Sequence, residues 1–472
     1  MHISLKRIYI NTVNLMIFFL LICGWIYYYN VEIVPENWSI YVSIVACILI
    51  VIQIYEMLKF NIGIQDFIFW YIILQFIFYY GRIFVYALGM DYLVPWKLFL
   101  MYSEVIIFKS SLFTLCFSQG IFLGFMLFRN IRYQSNQYLE YKRKYYTSDI
   151  LFRSGVFMFL ITFPFEIYKS ILTISSQRNG EYVAVINISG LLAALGFVSV
   201  VAILVIITSK KLEKKQMIRL VIIYAIYQVV YMSLSGDRRQ AVTSFIVIGL
   251  CIFNTYDIKL KLRVIIPMLV VGYVMFIFLA AIKMARQTGI SIDSIKDAFI
   301  EVIKEGNIFV EVFGEFGSTF FTIVNSMTYY PSNYEYIGGK TYLASLLIMI
   351  PGIFTYLFPK LFARVTIPEN MQLMDGNPIG GSLGQDLYAN FGALGIIGTV
   401  VIGMLLSKFT QRYKNASLVD NCRYYIVFLI LINLVRAGIY EVTRTLMLSL
   451  VLFEFSCIIC RKKIVRYSRS SR

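Results

Sequence analysis

Long apolar runs separated by short polar loops make up most of the chain. Many of these runs are long enough to cross a bilayer core of ~30 Å as a helix. The pattern predicts an all-α, polytopic integral membrane protein with about 12 transmembrane helices. The predicted spans are about 8–29, 39–58, 63–86, 103–128, 150–174, 187–208, 217–234, 241–256, 264–282, 391–409, 424–440 and 445–460.

One stretch, residues 283–390, breaks this pattern. Ser291 to Gly306 has the polar periodicity of an amphipathic helix. Two further apolar segments, 307–327 and 343–358, are interrupted by glycine or proline and are expected to lie at the interface or to re-enter the membrane. The sequence thus predicts three parts: 1–282 with spans 1–9, the segment 283–390, and 391–472 with spans 10–12 and a basic tail.

The distribution of Lys and Arg predicts the orientation of the chain. The loops after even-numbered spans hold most of the basic residues, and cytoplasmic loops carry such an excess. Both termini are therefore expected in the cytoplasm, with 283–390 outside as one extracytoplasmic segment. The net charge of +17 comes from clusters at span ends, so it does not indicate a nucleic-acid partner.

Composition supports the membrane class and limits the chemistry. The chain is 59% hydrophobic and only 15% charged, whereas soluble domains are about one quarter charged. None of the seven cysteines lies in 283–390, so no disulfide framework is expected there. The single histidine is His2, and no Asp/Glu/His cluster has metal-ligand spacing. We therefore predict neither a metal nor a cofactor.

Arginines at the outer ends of spans form the first group of candidate site residues. Two of them follow span 7 in the sequence S-G-D-R-R, where the charge rule disfavours them. A guanidinium binds phosphate through two parallel hydrogen bonds, so together these arginines suit a polyanionic headgroup. The alternatives are a turn in which Asp237 pairs with an arginine, and interfacial arginines that snorkel. The candidates are Arg178, Arg238, Arg239, Arg286, Arg436 and Arg444.

Two carboxylates are candidates for a general base. Glu315 lies four residues after Glu311, on the same face of a helix, beside glycines that allow close packing. Asp386 precedes Tyr388 by two residues and Asn390 by four. A carboxylate held over a sugar hydroxyl accepts its proton. The alternative for the glutamates is a polar stripe on a surface helix.

Three motifs in this chain resemble those of the Wzy-type O-antigen and capsule repeat-unit polymerases. They are S-G-D-R-R (Ser235 to Arg239), E-F-G-S-T with Y-Y-P, Y-I-G-G-K-T-Y and I-P-G (Glu315 to Gly352), and G-S-L-G-Q-D-L-Y-A-N-F-G-A-L-G (Gly381 to Gly395). The last motif is the most specific. Family members usually carry glutamate two residues before the tyrosine, where this chain has Asp386.

The resemblance implies a GT-C-like, metal-independent glycosyltransferase at the outer face of a bacterial cytoplasmic membrane. Such a polymerase joins oligosaccharide repeat units carried on undecaprenyl pyrophosphate into O-antigen or capsule. The resemblance also implies a chain-length regulator as partner. In that reaction the arginines would stabilise the leaving pyrophosphate, and Asp386 or Glu315 would deprotonate the acceptor. Tyr388 and Asn390 would contact the glycan.

Two other functions share this topology. An O-antigen ligase usually has a histidine in its long external loop, and this chain has none there. A flippase for lipid-linked oligosaccharides usually has short loops and two related halves, whereas this chain has one long segment. Both features favour the polymerase.

Overall fold

The computed structural model describes residues 5–94, 97–132, 147–178, 190–235, 239–258, 292–304, 308–348, 353–374, 379–411 and 417–470, with the single positions 274, 277 and 281. Every regular element within these ranges is an α-helix or a short 3-10 turn. The predicted all-α class is therefore confirmed for the described part of the chain.

The α-helices within the described ranges are numbered in chain order. The first eight are α1 (Leu5–Asn30), α2 (Trp38–Lys59), α3 (Phe67–Ala87), α4 (Glu104–Arg132), α5 (Ser148–Arg178), α6 (Gly190–Thr208), α7 (Lys214–Ser235) and α8 (Arg239–Thr255). Shorter helices follow: α9 (Ile292–Lys304), α10 (Ile308–Phe316), α11 (Phe320–Tyr329), α12 (Lys340–Leu347), α13 (Ile353–Leu357), α14 (Pro359–Val365), α15 (Ile367–Met374) and α16 (Leu383–Phe391). The last three are α17 (Gly395–Phe409), α18 (Leu418–Leu431) and α19 (Ile439–Ser470).

Ten helices in the described part of the chain are long and apolar enough to cross a membrane. Each overlaps one of the twelve predicted spans. The predicted eighth span corresponds to a shorter apolar helix, Gln240–Thr255, and most of the predicted ninth span, 264–282, lies outside the described residues. The prediction of a polytopic membrane protein is confirmed.

The tenth predicted span begins earlier than expected. The apolar stretch runs from Leu383 to Phe409 and joins α16, a 3-10 turn at Gly392–Leu394 and α17. The sequence prediction placed its start at 391, because the glycines and polar residues before it are typical of a loop. These polar residues are helical because they are buried and find hydrogen-bond partners within the protein.

The chain folds into two compact units. Unit 1 comprises residues 1–141, 309–411 and 431–442, and unit 2 comprises 142–308, 412–430 and 443–472. Each unit therefore combines parts of the chain that are distant in sequence. This grouping differs from the three consecutive parts predicted above, which stay a prediction.

Glycines allow close helix packing in unit 1. A Cβ added at Gly124 of α4 would lie 2.0 Å from the Val400 carbonyl oxygen of α17, and one at Gly403 would lie 2.2 Å from that of Ile121. Small residues at such crossings let backbones approach in the absence of a hydrophobic driving force between helices. The α4–α17 crossing therefore depends on glycine at both positions.

Glycines also dock the region of α10 onto α3. A Cβ at Gly81 would lie 2.6 Å from the Phe313 carbonyl oxygen, and one at Gly317 would lie 2.1 Å from the Arg82 nitrogen. The rings of Phe78 and Phe316 pack beside this crossing, with centroids 5.0 Å apart. The apolar run that begins at 307 thus packs against a membrane-spanning helix.

Unit 2 is built around α5, α6, α7 and α8. A Cβ at Gly155 would lie 2.7 Å from Ile206 Cγ1, which shows how closely α5 and α6 pack. The predicted amphipathic helix is confirmed as α9. Its buried face carries Ala298 and Val302, while Asp293, Lys296, Asp297 and Glu301 are exposed.

Candidate functional site

Helix α16 carries the most specific sequence motif and is buried almost throughout. Ser382 caps its start, since the Ser382 hydroxyl accepts a hydrogen bond from the Gln385 backbone at 3.1 Å. The same hydroxyl lies 2.6 Å from that of Thr322 on α11. From Leu383 to Asn390, Asp386 alone is not fully buried. The helix therefore presents one carboxylate at an otherwise packed surface.

The carboxylate of Asp386 is held at the start of α19. Its Oδ2 accepts a hydrogen bond from the Ile439 backbone nitrogen at 2.6 Å. A Cβ added at Gly438 would lie 3.1 Å from the same oxygen, so glycine makes room for the contact. Backbone N–H groups at a helix start stabilise negative charge. This position fixes the carboxylate.

Asn390 joins two of the sequence motifs. Its side-chain amide donates to the Asp386 carbonyl at 2.7 Å and to the Thr341 hydroxyl at 2.8 Å. Two backbone hydrogen bonds reinforce the junction, from Ile337 to the Ala389 carbonyl and from Gly338 to the Asn390 carbonyl. The I-G-G-K-T and Q-D-L-Y-A-N stretches, about fifty residues apart in sequence, are therefore docked together.

Tyr388 packs inside unit 1. Its side chain is 2% exposed, and its ring lies edge-on to those of Phe113 at 5.4 Å and Tyr336 at 6.2 Å. Burial raises the pKa of Tyr336, while its hydrogen bond with Tyr388 lowers it. Tyr388 thus has a packing role in unit 1, and its expected contact with the glycan stays a prediction.

Tyr342 was not among the residues chosen from the sequence, yet it lies near Asp386. Burial raises the pKa of Tyr342, and the Asp386 charge raises it further. The hydroxyl is buried without a hydrogen-bond partner in the described part of the chain, and its ring stacks on that of Phe391 at 5.7 Å. Tyr342 thus stays neutral and supplies a hydroxyl close to the carboxylate.

Arg436 and Glu315 lie in the same unit as Asp386. The Arg436 guanidinium lies 6.0 Å from the centroid of the Phe78 ring, and Phe78 packs against Phe316, the neighbour of Glu315. Both Arg436 and Glu315 are half-buried. Arg436 lies three residues before Ile439, whose backbone N–H binds Asp386. All five of Asp386, Arg436, Glu315, Tyr388 and Asn390 therefore lie in unit 1.

A buried arginine in α3 adds to this group. Arg82 is fully buried, and its Nε lies 2.8 Å from Asp91 Oδ1. Its backbone contacts Gly317, two residues after Glu315. An arginine within a predicted span was the sequence signal for this residue, because ionisable groups in spans commonly serve function.

Among the remaining arginines, Arg178, Arg239 and Arg444 lie in unit 2. Arg178 is the last residue of α5 and Arg239 the first of α8, but the side chains of both lie outside the described structure. Arg238 and Arg286 lie outside the described residues altogether. The Arg444 guanidinium packs on Gly190, where an added Cβ would lie 1.6 Å from Nη1.

Gly190→Ala is expected to displace the Arg444 guanidinium and to shorten the glycan. The added methyl group and Nη1 cannot occupy the same space. If Arg444 binds the anionic substrate, Gly190→Ala and Arg444→Ala should each shorten the glycan ladder on a gel, and the double variant should be no worse than Arg444→Ala. Gly249→Ala is the matched control, because a methyl group added at Gly249 would have no other side chain or backbone atom within 4 Å. Full-length ladders in both single variants would remove Arg444 from the site.

Comparisons with known proteins identify the family of the chain. No curated protein and no solved structure gives a significant match to the chain. The family model described as O-antigen polysaccharide polymerase Wzy matches residues 12–467, nearly the whole length. That span contains every candidate residue named above. The chain therefore belongs to the O-antigen polysaccharide polymerase (Wzy) family.

Proposed function

We propose that this protein extends a surface polysaccharide, O-antigen or capsule, by joining repeat units carried on undecaprenyl pyrophosphate. Membership of the polymerase family supports a lipid-linked oligosaccharide as the substrate. The bond between the donor sugar and the pyrophosphate breaks, and a bond to an acceptor hydroxyl oxygen forms. The reaction needs a group that takes the hydroxyl proton and positive charge that receives the leaving group.

Asp386 is the proposed proton acceptor. Two observations carry this proposal. Asp386 is the one residue between Leu383 and Asn390 that is not fully buried, and the Ile439 N–H holds its carboxylate at 2.6 Å. A base that is held in place loses no rotamer freedom when the acceptor binds. Tyr342 supplies a neutral, buried hydroxyl nearby. Glu315 is the alternative base in the same unit.

Arginine side chains are proposed to stabilise the leaving pyrophosphate. Their planar guanidinium groups bind phosphate oxygens in pairs. The electrostatic stabilisation that they provide is largest where water is scarce. Because they can supply the positive charge, we assign no metal to the reaction. The proposed set is Arg178, Arg238, Arg239, Arg286, Arg436 and Arg444, and to it we add Arg82 as a buried support for the region of Glu315.

Tyr388 and Asn390 are proposed to position the base. Tyr388 fills the space between Phe113 and Tyr336, and Asn390 ties the carbonyl of Asp386 to Thr341. Both side chains are almost completely buried. Besides the expected contact with the glycan, both residues therefore act through the geometry of α16.

We propose that both termini lie in the cytoplasm and that the segment from 283 to 390 faces outward. Basic residues at the inner ends of helices support this, among them the exposed Lys211 before α7. Ser332→Cys, at an exposed position, should react with a membrane-impermeant maleimide on intact spheroplasts in a cysteine-free background. Lys211→Cys should react only after lysis. The reverse pattern would invert the topology.

Deletion of the gene separates the three candidate functions. Loss of a polymerase should leave single repeat units attached to the surface acceptor, because export and ligation continue. Loss of a flippase should leave no repeat unit outside, and loss of a ligase should leave long glycan on the lipid carrier. Gel ladders and carrier-lipid analysis distinguish these outcomes. A chain-length regulator is the expected partner, and its loss should change ladder length without abolishing it.

A further inference from the structure

A charged pair lies on the membrane-spanning helix α5, in unit 2. Glu166 is 1% exposed and Lys169 12% exposed, and Lys169 Nζ lies 3.3 Å from Glu166 Oε2. Removing two charges from water costs about as much as their attraction returns. Ionisable residues inside membrane spans commonly serve substrate or ion binding. Stability alone therefore gives little reason for this pair.

The Glu166 carboxylate is fixed on both oxygens. The Tyr227 hydroxyl donates to Oε1 at 3.3 Å and also contacts the Ser170 hydroxyl at 2.8 Å. A Cβ added at Gly196 of α6 would lie 2.6 Å from Oε2, so the carboxylate packs directly on that helix. Glu166 is consequently the immobile member of the pair.

Lys169 reaches from α5 to the start of α8. Its Nζ donates to Gln240 Oε1 at 2.8 Å and lies 5.8 Å from the centroid of the Tyr231 ring. Gln240 directly follows Arg239, the first residue of α8. A lysine ammonium has three donors on a flexible four-carbon stem, so it can exchange one acceptor for another without loss of its other contacts.

An unused donor and a helix start lie together at this end of α8. Gln240 is 8% exposed, and its Nε2 has no hydrogen-bond partner among the described residues. The helix is 17 residues long, and the first N–H groups of a helix favour an anion. Together with the Lys169 ammonium, these donors suit a phosphate group.

The geometry points to a phosphate-binding site at the start of α8, in which Lys169 leaves Glu166 and binds the pyrophosphate of the lipid carrier. This inference rests on the proposed function for the identity of the ligand. Glu166 holds the ammonium in place when the site is empty and is displaced as acceptor when phosphate binds. Gln240 contributes its amide N–H beside the Lys169 ammonium, which it already contacts at 2.8 Å.

Substitutions distinguish this site from a purely structural ion pair. If the pair is structural, Glu166→Gln and Lys169→Gln each leave a buried charge unpaired, and the double variant restores the wild-type behaviour. If Lys169 binds phosphate, Lys169→Gln weakens binding with or without Glu166. Glu166→Gln then retains or increases affinity, because it frees the ammonium.

The experiment measures binding of undecaprenyl pyrophosphate to the purified full-length protein in nanodiscs of neutral lipid. We expect Lys169→Gln to weaken binding by at least about tenfold, the loss typical of one hydrogen bond to a charged group. Glu166→Gln should bind at least as tightly as wild type, and the double variant should resemble Lys169→Gln. Lys211→Gln is the matched control, since this lysine lies near the opposite end of α7. Lys169→Arg keeps the charge and should retain binding. If Lys169→Gln does not fold, Lys169→Arg still tests the proposal, since loss of binding in this variant would contradict it.

Three results would overturn the inference. They are unchanged affinity in Lys169→Gln, recovery in the double variant, and equally tight binding of undecaprenol, which lacks phosphate. A further result to check is whether inorganic pyrophosphate binds as tightly as undecaprenyl pyrophosphate and in a way that depends on Lys169. That result would reject the lipid carrier as the ligand. A wild-type protein that does not bind undecaprenyl pyrophosphate would contradict the proposed donor instead. The two proposals therefore fail in different ways.

Discussion

Asp386→Asn is expected to abolish polymerisation while the protein remains folded in the membrane. The asparagine oxygen can still accept the hydrogen bond from the Ile439 nitrogen, now 2.6 Å from Oδ2, so the start of α19 keeps its contact. What is lost is the ability to take a proton. Removal of a general base typically costs about 10²- to 10⁴-fold in rate. Long-chain glycan should disappear from gel ladders at unchanged protein level.

Two further variants separate chemistry from structure at this position. Asp386→Ala removes the contact to Ile439 and should lower the thermal unfolding temperature as well as activity. Asp257→Asn changes a 90% exposed aspartate near the end of α8 and serves as the neutral control. A normal ladder in Asp386→Asn would exclude Asp386 as the base and leave Glu315 as the candidate. Equal instability of Asp386→Asn and Asp386→Ala would make Asp386 a structural residue.

Arg238→Ala and Arg239→Ala are each expected to remove long-chain glycan without loss of protein from the membrane. Positive groups aimed at a developing negative charge contribute about 10²- to 10³-fold in rate. Arg239 opens α8, and the first backbone N–H groups of a helix also favour an anion. The double variant should give only single repeat units.

The charge-retaining variants sharpen this test. Arg239→Lys keeps the charge but loses the paired hydrogen bonds, so we expect partial rather than full activity. Arg219→Ala changes an exposed arginine towards the opposite end of α7 and is the control. Unchanged chain length in both single variants and in the double variant would end the pyrophosphate role of this motif.

The membrane class of the fold was predictable because span length and hydrophobicity are local properties of the sequence. Ten helices of the described chain overlap predicted spans. The start of the tenth span at Leu383 was not predictable, since Ser382, Gln385 and Asn390 look like loop residues until their partners are known. Thr322 and Thr341, both distant in sequence, satisfy two of these polar groups inside the protein.

The candidate site was predictable in its residue types and not in its contacts. Asp386 stood out through its motif, but its bond to Ile439 joins residues 53 positions apart. The burial of Tyr388 was not predictable, because a tyrosine at a membrane interface and a buried tyrosine look the same in sequence. Tyr342 needed tertiary structure, since Asp386 lies on another helix. The Glu166–Lys169 pair lies on one helix, but its contacts with Tyr227 and Gln240 on other helices also needed the structure.

The most direct test of the central claim is polymerisation in vitro. The substrate is the lipid-linked repeat unit that accumulates in the deletion strain, supplied to purified protein in nanodiscs without added metal or nucleotide. We predict a ladder of glycans with one undecaprenyl pyrophosphate released for each new linkage, and no ladder with Asp386→Asn. Wild-type protein that yields no product longer than one repeat unit, or an Asp386→Asn ladder equal to wild type, would contradict the account.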